Sequence, residues 1–269
     1  MRNYSRLVCP KCKEKLVRKG GSLYCANGHC YDVAASGYVN LLGGAKSSAD
    51  SGDSKEMTAA RHRIMSLGYY DGLLEKVCEK AAEFSPRFIA DCGAGEGRFA
   101  RALAEAFPEA DVAGTDLARA AVNVASKTVR EAVFAVANSN ALPYADGTAD
   151  VAVCAFAPVF PKEISRILRA GGGFLRITPG ARHLYGLKEK LYEKPYLNEE
   201  AEDVPEGFSL KEVVRSEYPF TVQGTDVRAL IQMTPYYYRT AAEAVDRVSA
   251  EKELTTELAF RIDVFVKGQ

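Results

Sequence analysis

From Phe88 onward the chain alternates short apolar runs with stretches whose apolar residues recur every three or four positions. The first pattern suits buried strands and the second amphipathic helices. Strands are predicted over 88–92, 111–115 (ending at Asp116), 132–137, 150–156 and 174–178, and helices over 98–107, 119–130 and 162–169. Such alternation predicts an α/β fold, its mostly parallel sheet covered on both faces and its ligands at the carboxyl ends of the strands. Past Thr178 the pattern changes. Residues 182–193, 226–233 and 241–250 read as helices, 199–207 as a polar loop and 210–216 as a short helix. Residues 217–222 and 258–266 read as a closing antiparallel pair, which brings the sheet to seven strands. Upstream, Met57, Ala60 and Ile64, then Leu73, Leu74 and Val77, mark two helices meeting at Gly68-Tyr69-Tyr70. The stretch 43–54, rich in Gly, Ser and Asp, has a linker's composition. It separates a small module, residues 1–42, from a domain over 55–269.

The 269 residues carry 35 bases and 35 acids, so net charge argues for neither nucleic acid nor membrane. Their distribution says more. Arg2, Arg6, Lys11, Lys13, Lys15, Arg18 and Lys19 are opposed by a single acid, Glu14, before residue 32, as suits a module serving a polyanion. No apolar run is long enough for a membrane span, and the polar start, Met1 to Arg6, predicts no leader peptide. Four of the seven cysteines lie in the first 30 residues. That suits a cytoplasmic protein with a local metal site better than a disulfide framework.

The metal-site candidates are Cys9-x2-Cys12 and Cys25-x3-His29. Two short-spaced pairs at two turns supply the four ligands of structural Zn2+, and leave no open position for catalysis. So small a segment has little else to hold it together. Cys30, next to His29, is expected to stay outside. A second motif, Asp91-x-Gly93-x-Gly95-x-Gly97, joins a strand to a helix, where glycines admit a ligand close to the backbone and the helix amides face it. A dinucleotide fingerprint requires a further glycine at position 98, which is Arg98 here. The pattern resembles instead motif I of class I S-adenosylmethionine (SAM) methyltransferases. Asp116, ending the next strand, is then placed to hold the ribose hydroxyls, and Asn138, Ser139 and Leu142, after the third strand, to hold the adenine.

Further segments follow in order along nearly the whole chain: Gly37-Tyr38-Val39-Asn40-Leu41-Leu42, Gly52-Asp53-Ser54-Lys55-Glu56-Met57, Gly68-Tyr69-Tyr70, Pro179-Gly180-Ala181-Arg182-His183-Leu184 and Gln232-Met233-Thr234-Pro235. With the zinc motif and the glycine loop, they resemble the bacterial 23S ribosomal RNA guanine-N1 methyltransferase family (the RlmA type, which includes the tylosin-resistance enzymes). The resemblance implies a Rossmann-like, class I SAM-methyltransferase domain joined to a zinc-bearing module that recognises 23S rRNA, in a homodimer. It places Cys9, Cys12, Cys25 and His29 on Zn2+, and Tyr70, Gly95, Glu96 and His183 with SAM, beside Asp91, Gly93 and Gly97. Guanine N1 carries a proton that has to leave, for which Asp53 and His183 are the candidate acceptors. The base itself has to be exposed or flipped from its stack. By residue type alone, Tyr70 and the run Tyr236, Tyr237, Tyr238 read as core, and Arg61, His62 and Arg63 as a solvated face. Two rival readings are a SAM-dependent enzyme for a small-molecule acceptor and a non-catalytic zinc-containing RNA-binding protein. The basic module weighs against the first, and the intact Asp91, glycine and Asp116 set against the second.

Overall fold

In the computed structural model, residues 2–42 and 54–268 are described. Asp53 and most of the expected linker lie outside them. After a 3-10 turn at Tyr4–Arg6, strands β1 (Val17–Lys19), β2 (Ser22–Tyr24) and β3 (Cys30–Asp32) form a small antiparallel sheet, and β4 (Val39–Asn40) follows. Helices α1 (Lys55–Met65) and α2 (Asp71–Ala82) meet at the Gly68–Tyr70 corner. The Ser54 hydroxyl caps α1, accepting the Met57 N–H at 3.1 Å. The predicted alternation runs through β5 (Phe88–Cys92), α3 (Arg98–Ala106), β6 (Asp111–Asp116), α4 (Arg119–Thr128), β7 (Val133–Val136), β8 (Ala149–Ala155), α5 (Pro161–Ile167) and β9 (Leu168–Pro179). It closes with α6 (Tyr185–Leu191), β10 (Phe208–Gln223), α7 (Thr225–Gln232), α8 (Tyr236–Arg239), α9 (Ala242–Ser249) and β11 (Glu253–Lys267).

Among the described residues the large sheet has eight strands, in the order β10-β11-β9-β8-β5-β6-β7-β4. Six are mutually parallel, and β11 runs antiparallel to both β9 and β10. Two expectations change. The eighth strand, β4, comes from the segment read as finishing the N-terminal module: Val39 and Asn40 pair with Ala135 and Val136 of β7. Residues 210–216, read as a short helix, belong to β10, with Val213 opposite Asp263 and Val214 opposite Ile262. Long-range pairing along β11 overrides a local pattern that an exposed edge strand leaves ambiguous.

The connection from β7 to β8 carries no helix among the described residues, so one face of the sheet needs other cover. The N-terminal module supplies it. Leu7 bridges to Tyr144, the Val8 N–H donates to the Pro143 carbonyl at 2.8 Å, and the Arg6 guanidinium lies over the Phe88 ring, 4.9 Å from its centre. Leu7, Leu16, Leu23 and Tyr31 share one apolar cluster with Phe88, Ala113, Val133 and Leu142 of the sheet. Two of the module's bases serve this dock. Arg6 pairs with Asp111 at 2.7 Å, and Arg2 donates to the carbonyls of Ser36, Ser126 and Val129.

On the far side, Asp263 is fully buried between Arg176 and Arg261, at 2.9 and 2.7 Å. Those arginines reach on to Asp203 at 2.9 Å and Glu200 at 3.2 Å, fastening residues 198–205 across β9 and β11. Removing the shared carboxylate leaves two buried guanidiniums short of a counter-charge. Asp263→Ala is therefore expected to destabilise the fold by about 3–5 kcal/mol, read as a lower denaturation midpoint at unchanged m-value.

Candidate active site and metal centre

Cys9, Cys12, Cys25 and His29 converge so that their ligand atoms all lie within 4.8 Å of one another. His29 Nδ1 stands 3.4, 3.5 and 3.3 Å from the sulfurs of Cys9, Cys12 and Cys25, and the last two sulfurs are 3.7 Å apart. A tetrahedral Zn2+ with the usual bond lengths requires ligand edges of about 3.4–3.8 Å, so the donor set fits. Burial works against a thiolate at Cys9, but hydrogen bonds from the Tyr31 hydroxyl and the Lys11 and Cys12 amides bring its pKa down to about 6. Cys30 is exposed and outside the cluster.

In the large sheet the chain passes from β5 through β6 to β7 and then returns across β5 to β8. The crevice of such a switch point opens between the carboxyl ends of β5 and β8, and the predicted loop sits there. A side chain on Gly93 would strike Ala157, with Cβ atoms 2.4 Å apart. Gly95, at φ +53°, has room for a side chain, the nearest atom to an added Cβ being Arg61 Nη1 at 3.8 Å. Asp116, ending β6, fixes the loop: its carboxylate accepts the Gly95 N–H at 2.9 Å and the Ala118 N–H at 2.7 Å.

Three carboxylates gather at this loop. Asp91 is 1% exposed, and both of its oxygens lack a hydrogen-bond partner among the described residues. Burial, with the nearby charges of Asp116 and Glu96, pushes its pKa up to about 7. Glu96 is likewise buried. A nucleotide's pyrophosphate is repelled by such a site. A ligand that carries positive charge and ribose hydroxyls is drawn to it, and SAM, with its sulfonium and ammonium groups, fits.

Tyr70 is buried at the start of α2 with its ring 5.4 Å from Phe260. His183, past the end of β9, is buried between Phe260 and Phe156, with ring centres 5.1 and 6.2 Å away. Its Nδ1 has no partner among the described residues. Burial and the Lys188 charge pull its pKa down to about 3, so the ring is neutral at pH 7 and has little affinity for a proton. Asn198 braces it, donating to the carbonyls of Gly180 at 3.0 Å and His183 at 3.3 Å. Lys188 in turn holds the Asn198 side-chain oxygen at 2.6 Å. Neither Asn198 nor Lys188 carries a sequence signal of its own. Asn138 and Ser139 lie at the rim of the turn after β7. Leu142 is fully buried in the core, its N–H donating to Glu163 at 3.1 Å and its carbonyl accepting from Arg166 at 2.9 Å.

Residues 89–172 match a family model described as a methyltransferase domain, and residues 7–48 one described as the RlmA N-terminal zinc ribbon. The chain is 37% identical to the 23S rRNA (guanine(748)-N(1))-methyltransferase of Streptomyces fradiae, over 69% of this chain and 67% of that one. A Micromonospora griseorubida protein assigned to 23S rRNA guanine-N1 methylation is 34% identical over 69% of each chain. The chain belongs to the 23S rRNA guanine-N1 methyltransferase family. Bacillus subtilis YxjB, 28% identical over 98% of this chain and 97% of its own, extends that likeness along the whole length. The family fold is that of a class I SAM methyltransferase preceded by a zinc ribbon, and zinc and SAM are its cofactors.

Two outcomes follow from this geometry. Cys12→Ser is expected to lose the metal and, because the ribbon shares the sheet's core, to lower the melting temperature of the whole chain by several degrees; metal analysis and calorimetry read both. At Asp91 the folded pKa lies above the ordinary carboxylate value, so acidification from pH 7 toward pH 4 stabilises the ligand-free fold, and the cost of the buried charge is in full force above pH 7. SAM affinity runs the other way and should fall below pH 7. Asp91→Asn is expected to weaken SAM binding about 10- to 100-fold, to flatten that pH dependence in titration calorimetry, and to raise the melting temperature of the ligand-free protein at pH 8.

Proposed function

We propose that this chain transfers the methyl group of SAM to N1 of a guanine in a hairpin of 23S rRNA. The observation that carries the reading is that the basic zinc ribbon shares an apolar cluster with the very sheet whose carboxyl ends carry the acidic, glycine-lined crevice. When bound, SAM would supply an electrophilic methyl carbon with sulfur as the leaving group, so that transfer to guanine N1 would leave the electron pair of the broken carbon–sulfur bond on sulfur and release the N1 proton. The protein's own work is alignment. Asp91 receives the cofactor's ammonium, Gly93, Gly95 and Gly97 let its chain lie along the backbone, and Asp116 takes the ribose hydroxyls. Asn138 and Ser139 border the adenine, while Tyr70, Glu96 and His183 close the crevice. His183 acts as a neutral hydrogen-bonding ring, since its low proton affinity suits it poorly to removing a proton.

The polyanion grip falls to the ribbon, where Lys11, Lys13, Lys15, Arg18 and Lys19 are all exposed. Between the ribbon and the sheet edge lies a cleft of about 510 Å3, lined by Lys11, Tyr31, Tyr38 and Arg119 among others. No helix among the described residues is long and apolar enough to cross a membrane. A small-molecule acceptor would need neither the exposed bases nor the cleft.

Tritium from labelled SAM is expected to enter 23S rRNA isolated from cells lacking the protein, with N1-methylguanosine recovered on digestion. Label confined to small-molecule extracts would sink the reading. Gly95→Asp, which fills the open side of the loop with a further negative charge, is expected to abolish the transfer.

A further inference from the structure

Phe156 is the first residue beyond β8, at the mouth of the crevice across from the glycine loop. Its φ is +54°, a backbone conformation that bulky residues rarely adopt. The turn is held there: the Phe156 N–H donates to the Ile177 carbonyl at 2.9 Å, and Ala157 packs against Gly93. The residue remains 45% exposed, although Phe99, Phe260 and His183 stand around its ring with ring centres 6.3, 5.9 and 6.2 Å away. Among the described residues two other aromatics are as exposed, and both are engaged: the Tyr196 ring centre lies 4.2 Å from the Lys188 ammonium, and the Tyr238 hydroxyl donates to Ser54 at 2.9 Å. Phe156 presents a bare aromatic face at the carboxyl edge of the sheet. Beside it the His183 ring is tilted by only 21°, and its buried Nδ1 lacks a partner among the described residues. An apolar face and an unsatisfied polar atom on one wall are what a flat, polar-edged ligand would satisfy.

We propose that Phe156 is the platform on which the acceptor guanine stacks, and so a positioning residue for the transfer; this rests on the function proposed above. N1 lies in the plane of the base. In-line attack on a methyl carbon therefore requires that plane to be fixed relative to the sulfur–carbon axis, and an aromatic ring beneath the base fixes a plane. Stacking accepts any base, because every base has a π face. The platform thus sets orientation, and identity is read elsewhere, at the polar edge.

The test compares the full-length, zinc-loaded protein with Phe156→Leu and Phe156→Tyr, using a 23S rRNA hairpin transcript and labelled SAM. Phe156→Leu should lose about 10- to 100-fold in kcat/KM for RNA, with its SAM Kd within about twofold of the wild type, and Phe156→Tyr should recover most of the loss. 2-Aminopurine at the acceptor position should be quenched on the wild type and on Phe156→Tyr, and remain bright on Phe156→Leu. Phe156→Asn removes the ring in a residue that tolerates positive φ, and should reproduce the leucine result if the leucine variant folds poorly. Wild-type RNA kinetics in both ring-less variants would overturn the platform alone. A matching loss of SAM affinity would overturn it too, making Phe156 a wall of the cofactor site. No transfer to RNA by the wild type would overturn the platform together with the function it rests on.

Discussion

A carboxylate buried without a partner is the constraint around which this molecule is arranged. Asp91 sits in the central strand, where no side chain among the described residues hydrogen-bonds its oxygens and only the Ala100 amide works against the cost of burying its charge. A group in that position lowers the stability of the empty fold and raises the affinity for a cation. Its neighbours follow the same logic. Asp116 spends its oxygens on loop amides, so the backbone is set before a ligand arrives. Glu96 adds charge of the same sign. The stability given up here is recovered in the apolar clusters on the two faces of the sheet and in the ion lattice around Asp263.

How legible this was in the sequence depends on the range of the interaction involved. The alternation from Phe88 to Thr178, the glycine loop and the four metal ligands are set by local periodicity and short spacing, and they read directly. The acidic character of the crevice was half visible: Asp91, Glu96 and Asp116 stand in the sequence, but their convergence is a property of the sheet. Residues 210–216 misread because the pairing that makes them a strand lies some fifty residues downstream, in β11. Val39-Asn40 misread because the strand it joins, β7, lies about a hundred residues away. Phe156 left no trace in composition or motif. The sequence pattern makes it the last residue of strand 150–156, whereas it stands one residue past β8, at the edge where ligands bind. Asn198 and Lys188 act through a segment whose only sequence character was polarity, so nothing before folding marked them as supports of His183.

The open edge of the sheet is kept from growing. β10 presents Lys211, Glu212, Arg215 and Glu217 along an exposed strand interrupted by Pro219, which discourages the addition of a further strand from another chain.

The docking of the zinc ribbon has a consequence for how this protein can be divided. Leu7 and Tyr31 occupy the face that a crossover helix between β7 and β8 would cover in a sheet of this kind. The ribbon is therefore a part of the catalytic unit that happens to be encoded first. A chain cut after residue 54 would bare an apolar floor beneath β5, β6 and β7, and a chimera bearing a different RNA-binding module would have to reproduce that floor's shape before it could confer a new target. The cover of the floor and the proposed grip on RNA are drawn from opposite surfaces of the same small ribbon, so a change of target would have to be made on its outer surface, around the lysines, with its inner surface left as it is.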